Sequence, residues 1–479
     1  MRRLSGDHES GEERGSQDAD ARIVENENGG FHAAYKLDAA AGGQPWYRAL
    51  DRKQWNTLVA ANLGWLFDGY ETYALILTIA PTLHELLKPT QYSQIPSYAG
   101  LVIAITLFGW GIGGLLGGVL ADYIGRKRMM VYAILAYALM TGLSALAQNW
   151  YELAALRFLV GVAIGSEWAT GTSLVAELWP DNARGRGAGL MQCGLGIGFF
   201  IASFAWLFIS ALGPDAWRYM YVLGVIPALV TLWIRRNLPE SALWEGVDQR
   251  RQVALERKRS GVAAGADEKL TRFTLGDLFA VPEIRRRTLI ALLMSLTTTL
   301  GWWGISTWVP PYVGSVAAQA GLSPQTWASY AGMAYNIGAI AGYIGFGFLA
   351  DAYGRKPVTM AFFAMALILT PVLFLWTHVL ALLLVVCAVN AFFSLGQYTW
   401  MSTWLPELYP TRMRATGVAF GFNAPRFVAF LGPLVAGRLI VAFGGYGGAA
   451  TVVAMIYILG FVATPFLYET RGKPLPEVL

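Results

Sequence analysis

The chain has 479 residues, of which 55% are hydrophobic, 14% charged and 54 glycine. Soluble domains carry about 25% charged residues and about 7% glycine, so this composition argues against a soluble two-domain enzyme, a disordered chain or a fibrous protein and favours a helical membrane protein. The net charge of +5 arises from Lys and Arg grouped in short loops between apolar runs, the positive-inside pattern rather than a nucleic-acid-binding patch.

In chain order, residues 1–50 form an N-terminal tail. Its first 44 residues are rich in Gly, Asp, Glu and Arg without an apolar run and read as solvated and disordered. No apolar h-region follows the first basic residues, so no signal peptide is expected. From Trp55 onward, twelve apolar stretches are each near the ~20 residues that cross a bilayer. They are 56–83, 97–120, 129–148, 152–176, 188–212 and 217–236, then 288–313, 325–349, 358–376, 379–404, 415–439 and 447–467. The expected organisation is a six-helix bundle over 51–237, a charged linker over 238–287, a second six-helix bundle over 288–468 and a tail over 469–479. The linker holds Arg250, Arg251, Arg257, Lys258 and Arg259 and, like the tail, reads as disordered.

Loop charge sets the orientation. Arg126, Lys127, Arg128, Arg184, Arg186, Arg355, Lys356, Arg412 and Arg414 follow spans 2, 4, 8 and 10, whereas the opposite loops offer little beyond Lys88, Arg218 and Arg438. This predicts a multi-pass protein of the cell membrane with both termini and the linker in the cytoplasm. Cys193 and Cys387 lie in apolar stretches and read as packing residues. Four histidines without ligand spacing make no zinc site, and neither a metal nor a cofactor is expected. No His-Glu-x-x-His, Gly-x-Ser-x-Gly or phosphate-binding loop points to an enzyme.

The two halves repeat. Gly118-Val-Leu-Ala-Asp122-Tyr-Ile-Gly125-Arg126-Lys127 recurs as Gly347-Phe-Leu-Ala-Asp351-Ala-Tyr-Gly354-Arg355-Lys356, at offset 351 − 122 = 229. Glu177-Leu-Trp-Pro180 recurs as Glu407-Leu-Tyr-Pro410, at offset 407 − 177 = 230. Two parallel six-helix repeats carrying these loops resemble the major facilitator superfamily, an all-α membrane fold of twelve helices. Pro45-Trp46-Tyr47, Arg52-Lys53-Gln54-Trp55 and Leu63-Gly64-Trp65-Leu66-Phe67-Asp68-Gly69-Tyr70-Glu71 are similar to its sialate:proton symporter group. So are Gly165-Ser166-Glu167-Trp168 and Gly421-Phe422-Asn423-Ala424-Pro425-Arg426. The resemblance covers nearly all of residues 45–470 and implies symport of an organic acid anion with protons. Glu71 stands where that group commonly has Asp, and the linker lacks an extra pair of apolar spans, so sialate itself is not implied.

Asp68, Glu71, Arg157, Glu167 and Arg426 fall inside apolar stretches. At about 2.5–3.5 kcal/mol each, they would together cost roughly 12–17 kcal/mol facing lipid, so they are expected to face each other or a wet cavity. Asp68 and Glu71 are spaced i, i+3 and share one helix face. Two neighbouring carboxylates in a low dielectric cannot both be charged cheaply, which suits a proton carrier. Glu71 is the favoured carrier and Asp68 the ion-pairing residue. Arg157 sits about five residues from the outer end of its span, where it could also snorkel. The resemblance implies a proton-transfer role for it. Glu167 could face Asp68 or back up Arg157.

Arg426 falls mid-span after Pro425, which frees backbone groups, and a guanidinium grips a carboxylate bidentately. It is the candidate for the substrate carboxylate, with Asn423, Gln397, Tyr398, Trp302, Tyr335 and Asn336 as further lining. Gln397 is at offset 230 from Glu167. Gly118, Asp122, Gly125, Arg126 and Lys127, with Asp351, Gly354, Arg355 and Lys356, read as conformational machinery in which each Asp pairs with its Arg and with a helix N-terminus of the other half. Glu177 with Arg184 and Arg186, and Glu407 with Arg412 and Arg414, are expected in the same gate.

The five intramembrane charges sum to −1. One proton neutralises them, so one proton is expected to enter with one monoanion. The expected partners are a small organic anion, protons and lipid, with no nucleic acid and a monomeric state. The alternative is a sugar porter, which Glu469-Thr-Arg471-Gly-Lys473-Pro-Leu475 resembles. A sugar porter usually offers a Gln pair in the seventh span, where this chain has Thr297-Thr-Thr-Leu-Gly301-Trp302-Trp303.

Overall fold

A computed structural model describes residues 23–25, 31–33, 46–48, 50–261 and 269–476. Most of the expected N-terminal tail, and residues 262–268 and 477–479, lie outside the described residues. Within the tail, β1 (Ile23–Glu25) and β2 (Phe31–Ala33) pair antiparallel with Ile23 opposite Ala33. This hairpin departs from a featureless tail.

The first half of the described chain comprises α1 (Arg52–Leu86), α2 (Ile95–Ile124), α3 (Arg126–Ser144), α4 (Trp150–Leu178), α5 (Arg184–Ile209), α6 (Ala216–Leu223) and α7 (Pro227–Asn237). Asp51 starts α1 with a reciprocal cap: its carboxylate accepts from Gln54 N at 2.7 Å and Gln54 Oε1 accepts from Asp51 N at 2.8 Å. The second half comprises α10 (Pro282–Ser306), α11 (Val309–Gln319), α12 (Pro324–Tyr353), α13 (Arg355–Pro371), α14 (Leu380–Ser394) and α15 (Thr399–Leu408). It ends with α16 (Arg414–Asn423), α17 (Arg426–Ala429), α18 (Gly432–Ala442), α19 (Tyr446–Ala454) and α20 (Ile456–Ala463).

Each of the twelve expected stretches is helical, several with a break. Eight helical segments are long and apolar enough to cross a membrane, or nine if Thr411–Ala429 and the bent continuation Leu434–Ala442 form one crossing. α1 falls outside that count because Asn62, Asp68 and Glu71 interrupt its apolar run, α3 because its 19 residues begin with Arg126, Lys127 and Arg128, and α6 and α7 because each is short. Pro425 sits at the break between α16 and α17, where a proline cannot donate to the ladder.

Small residues let the helices approach closely. A Cβ on Gly113 of α2 would sit 1.8 Å from the Val162 carbonyl of α4, and one on Gly342 of α12 would sit 2.2 Å from the Phe392 carbonyl of α14.

The stretch expected to be a disordered linker is ordered on both sides of residues 262–268. α8 (Ala242–Arg259) is capped by Ser241, whose hydroxyl accepts from Trp244 N at 3.2 Å, and it ends in Arg257, Lys258 and Arg259, the favoured charge for a helix C-terminus. α9 (Thr274–Ala280) follows. Composition read these residues as too polar to fold, but Trp244, Arg251 and Leu278 bury themselves against the ends of the bundle.

Candidate functional site

Asp68 and Glu71 are both buried in the middle of α1 but they do not serve as one pair. Glu71 Oε2 accepts from Thr141 Oγ1 at 2.8 Å and from Arg157 at 3.3 Å. Arg157 also donates to Ser144 at 3.0 Å and lies 4.5 Å from the Tyr221 ring centroid. It is 1% exposed and does not snorkel. The ion-pairing carboxylate is therefore Glu71 rather than Asp68. A Cβ on Gly224 would sit 1.9 Å from Glu71 Oε1, so that glycine makes room for the carboxyl.

Asp68 meets Glu167 of α4 carboxyl to carboxyl, within hydrogen-bonding reach of each other, and none of their four oxygens receives a bond from any other donor. Both are essentially unexposed. Gly64, one turn before Asp68, makes space for Glu167, whose Oε1 a Cβ there would meet at 2.2 Å.

Arg426 is 2% exposed and, among the described residues, forms no ion pair. One guanidinium nitrogen donates to the Phe422 carbonyl at 2.5 Å, while Nε has no partner. The guanidinium lies 4.1 Å from the Phe422 ring centroid and 4.5 Å from that of Trp110. Tyr398 sits beside it and Asp68 is within electrostatic range. Phe422 of α16 also stacks on Trp168 of α4, centroids 3.6 Å apart, beneath Trp65. Asn423 donates to the Ala419 carbonyl and packs on Gly114 of α2, while its Oδ1 is unpartnered. Gln397 donates to the Ser394 carbonyl and its Oε1 is likewise unpartnered.

A cavity of about 110 Å³ opens between α1, α5, α10, α11 and α12. Trp302, Tyr335 and Asn336 line it, as expected, together with Tyr73, Phe199 and Trp303. A second, much smaller pocket of about 20 Å³ shares Ile76 and Trp303 with it and reaches Glu71, Arg157 and Trp110. Among the described residues no cluster of His, Cys, Asp or Glu could hold a metal.

The end of the bundle carrying the Gly-Arg-Lys loops is tied across the two halves. Asp122 pairs with Arg126 at 3.0 Å and accepts from Ala415 N and Thr416 N at the start of α16. Asp351 pairs with Arg355 at 3.0 Å and accepts from Gly185 N and Arg186 N at the start of α5. The glutamates exchange partners relative to expectation. Glu177 accepts from Arg126 and, at 2.7 Å, from Arg414 of the other half. Glu407 accepts from Arg355 at 2.8 Å and from Arg184 of the other half at 2.9 Å. Arg412 pairs instead with Asp277 of α9 at 2.5 Å, and Arg186 lies near Asp351 and Trp46. Arginines near in sequence thus point away from the nearest glutamate, because the helix each one starts packs against the opposite half.

Several residues at this end escaped the sequence reading. Glu240 accepts from the backbone N–H groups of Arg126 and Lys127, and Glu469 from those of Arg355 and Lys356. Their spacing, 469 − 240 = 229, matches the repeat and would have found them. Gly125 and Gly354, at φ 104° and 105°, supply the left-handed turn, and a Cβ on either would press on these carboxylates. Burial pushes Glu240 above the ordinary glutamate value despite its backbone donors. At Glu469 burial acts the same way, but donors from Lys356, Arg355, Arg471 and Thr470 outweigh it and hold the carboxyl below that value. Arg251 of α8 donates to the carbonyls of Asp122 and Arg412, one from each half. The C-terminal segment does likewise, its Lys473 carbonyl accepting from Arg184 and its Pro476 carbonyl from Arg414.

The model of a family described as "Sugar (and other) transporter" matches residues 57–478. The sialic acid transporter NanX of Escherichia coli is 27% identical, covering 88% of this chain and 98% of that protein. A cis,cis-muconate transport protein of Acinetobacter baylyi is 28% identical, covering 86% and 94%. Among solved structures, the proton:xylose symporter XylE bound to 6-bromo-6-deoxy-D-glucose superposes with a TM-score of 0.71 at 21% identity, covering 88% of this chain and 98% of that one.

Proposed function

This chain belongs to the sugar (and other) transporter family of the major facilitator superfamily, a family of membrane transporters rather than enzymes, and from that premise we propose that it carries an organic acid anion together with a proton by alternating access. The observation that carries the reading is a buried arginine, Arg426, without an ion-pair partner among the described residues, within electrostatic range of Asp68, whose carboxyl meets only that of Glu167. A fixed cation in a dry site is stabilised by an incoming carboxylate. Relatives named for sialic acid and cis,cis-muconate favour an organic acid.

Glu71 and Arg157 cancel each other. Asp68, Glu167 and Arg426 leave a charge of −1. One proton, shared by Asp68 and Glu167, makes the site neutral before a monoanion meets Arg426, and both then leave together. The charge of the empty carrier and that of the loaded carrier are the same, so the pH gradient drives transport and the membrane potential does not. We assign proton carriage to Asp68 and Glu167, with Glu71 and Arg157 holding α1 against α3 and α4 and lining the route from the adjacent pocket. Twelve crossings in two six-helix halves, flanking the linker over 238–287, would place both termini, α8 and the Gly-Arg-Lys loops in the cytoplasm, in a monomer of the cell membrane. The cross-half ties then close the cytoplasmic end while the cavity lined by Trp302 and Tyr335 faces outward.

The test is proton movement into liposomes loaded with a pH indicator, corrected against protein-free liposomes. Carboxylates should drive protons inward, and Arg426→Ala and Asp68→Asn should abolish the signal. Proton movement with neutral sugars and not with acids would replace this reading with a sugar:proton symporter.

A further inference from the structure

Away from the middle of the bundle, the motif-bearing end holds a basic cleft of about 310 Å³. It lies where the first turns of α10, the start of α13 and the segment after α20 come together. Glu283, Arg286 and Arg287 of α10 line it, with Lys356 of α13 and, beyond α20, Phe466 and Tyr468. The three helices pack tightly just past the cleft: a Cβ on Gly460 of α20 would sit 2.7 Å from Phe363 of α13 and 2.9 Å from Thr297 of α10.

Three cations against one carboxylate leave the cleft with a net charge of +2. Arg287 is already engaged. It pairs with Glu283 at 2.9 Å, donates to the Leu408 carbonyl at 3.2 Å and to the Tyr468 hydroxyl at 3.3 Å, and lies 4.4 Å from the Tyr468 ring centroid. The other two cations are open. Arg286 is exposed and makes no ion pair or hydrogen bond among the described residues. Lys356 gives one of its three ammonium hydrogens to the Pro465 carbonyl at 3.1 Å and pairs with no carboxylate among the described residues.

The sequence sets the depth of the cleft. The apolar stretch 288–313 begins one residue after Arg287, and the stretch 447–467 ends beside Tyr468. The cleft therefore sits where hydrocarbon gives way to headgroups, on whichever face of the membrane this end lies. Arg286, Ile290 and Leu293 are spaced i, i+4, i+7 and run from the cleft into the apolar part of α10. Leu289 and Leu293 are exposed, as are Leu459 and Val462 of α20, and Phe466 is 61% exposed. Apolar surface thus continues from the open cations along both helices. A free phosphate would use only the cations, whereas a phospholipid uses the cations and the apolar surface together. The net positive charge favours an anionic headgroup over one that carries its own ammonium.

We propose that this cleft binds the phosphodiester of an anionic phospholipid from the surrounding leaflet. Arg286 and Lys356 hold the phosphate, Glu283 and Tyr468 fix Arg287 as the wall behind it, and an acyl chain lies against Phe466 and Leu293. The site adjoins the tie between the halves, since Tyr468 donates to the Glu407 carbonyl at 2.8 Å and Lys356 follows Arg355, a partner of Glu407.

The test is native mass spectrometry of the full chain in detergent, titrated with dioleoyl phosphatidylglycerol, dioleoyl phosphatidylcholine or inorganic phosphate. One phosphatidylglycerol should be retained saturably, about fivefold or more tighter than phosphatidylcholine. Arg286→Gln and Lys356→Gln should each weaken it about fivefold, the effect of one cation beside an anionic headgroup. Phe466→Ser should weaken both lipids. The double variant Arg257→Gln/Arg259→Gln, which removes exposed charges of α8 outside the cleft, should bind as the unaltered chain does. Arg286 has no partner to lose, so Arg286→Gln should keep the melting temperature and stays informative if another variant does not fold. Unchanged lipid binding in Arg286→Gln, or an equal loss in the α8 variant, means attraction to loop charge in general and overturns the site. Equal affinity for the two lipids overturns the anionic preference. Displacement of the lipid by inorganic phosphate, with Phe466→Ser without effect, overturns the lipid and leaves a site for soluble phosphate.

Discussion

Two buried polar clusters sit in this apolar bundle, and their hydrogen bonding is opposite. At the motif-bearing end Asp122, Asp351 and Glu407 have both oxygens engaged, and the arginines reach partners in both halves. In the middle of the bundle Asp68 and Glu167 have only each other, with no other donor on any oxygen, and among the described residues Arg426 has no ion-pair partner. Satisfied polar networks rigidify a structure, whereas unsatisfied ones carry a free-energy cost that a proton or ligand can relieve. The first cluster holds one conformation. The second is poised to bind.

That contrast can be broken from either side. The largest effect is expected in the middle cluster. Arg426→Ala, Asp68→Asn and Glu167→Gln should each lower proton-coupled anion uptake on the order of 10²-fold, the loss typical of removing one preorganised charge or donor. Their thermal stability should be unchanged or higher, since each removes an unpaired buried charge. A large fall in melting temperature would place these groups in the structural class instead.

The reverse split is expected at the other cluster. Glu407→Gln removes one counter-charge from each of Arg355 and Arg184, which keep Asp351 and Asp181, and removing one partner of a buried pair costs up to about 3–5 kcal/mol. The melting temperature should fall, and a cysteine introduced at the motif-bearing end should label faster. Unchanged labelling would show that this tie does not hold the halves together.

Deleting residues 471–479 removes one carbonyl acceptor from each of Arg184 and Arg414 and leaves them those of Ala176 and Pro406. The expected loss is about 1–3 kcal/mol, with faster labelling at the same end and unchanged affinity for the transported anion.

The smallest effect separates the two helix-capping glutamates. Glu469 is held below the ordinary glutamate value, so its contribution is present above that range and lost as pH falls through its own lower value. Glu240 lies above the ordinary value, so its contribution is greatest below that range and fades as pH rises through its own value. Glu469→Gln should therefore cost about 1 kcal/mol at neutral pH, as for a lost cap, and its deficit should close on acidification. Glu240→Gln should cost less at neutral pH. Melting curves at several pH values check both, and identical profiles would mean that the two caps are equivalent.

Much of this was legible in the sequence. Apolar runs of bilayer length and loop charge identified a largely helical, multi-pass membrane protein, because hydropathy and glycine spacing act locally, and two motifs at offsets 229 and 230 set the expectation of related halves. The cost of charge in hydrocarbon singled out Asp68, Glu71, Arg157, Glu167 and Arg426 without any structure. What the sequence could not decide was partnership. Asp68 and Glu71 stand about 60° apart around α1, and packing against α3 and α4 turns one towards Arg157 and the other towards Glu167. Arg184 and Arg414 lie near Glu177 and Glu407 in the chain but cross to the opposite half, because the helices they begin dock there. The linker looked too polar to order, yet its buried Trp244 and Arg251 find acceptors only on the assembled end of the bundle. The cleft of Arg286 and Lys356 draws on α10, α13 and the segment after α20. Local pattern determined which groups had to be satisfied, and the packing of distant helices decided which were and which were left open.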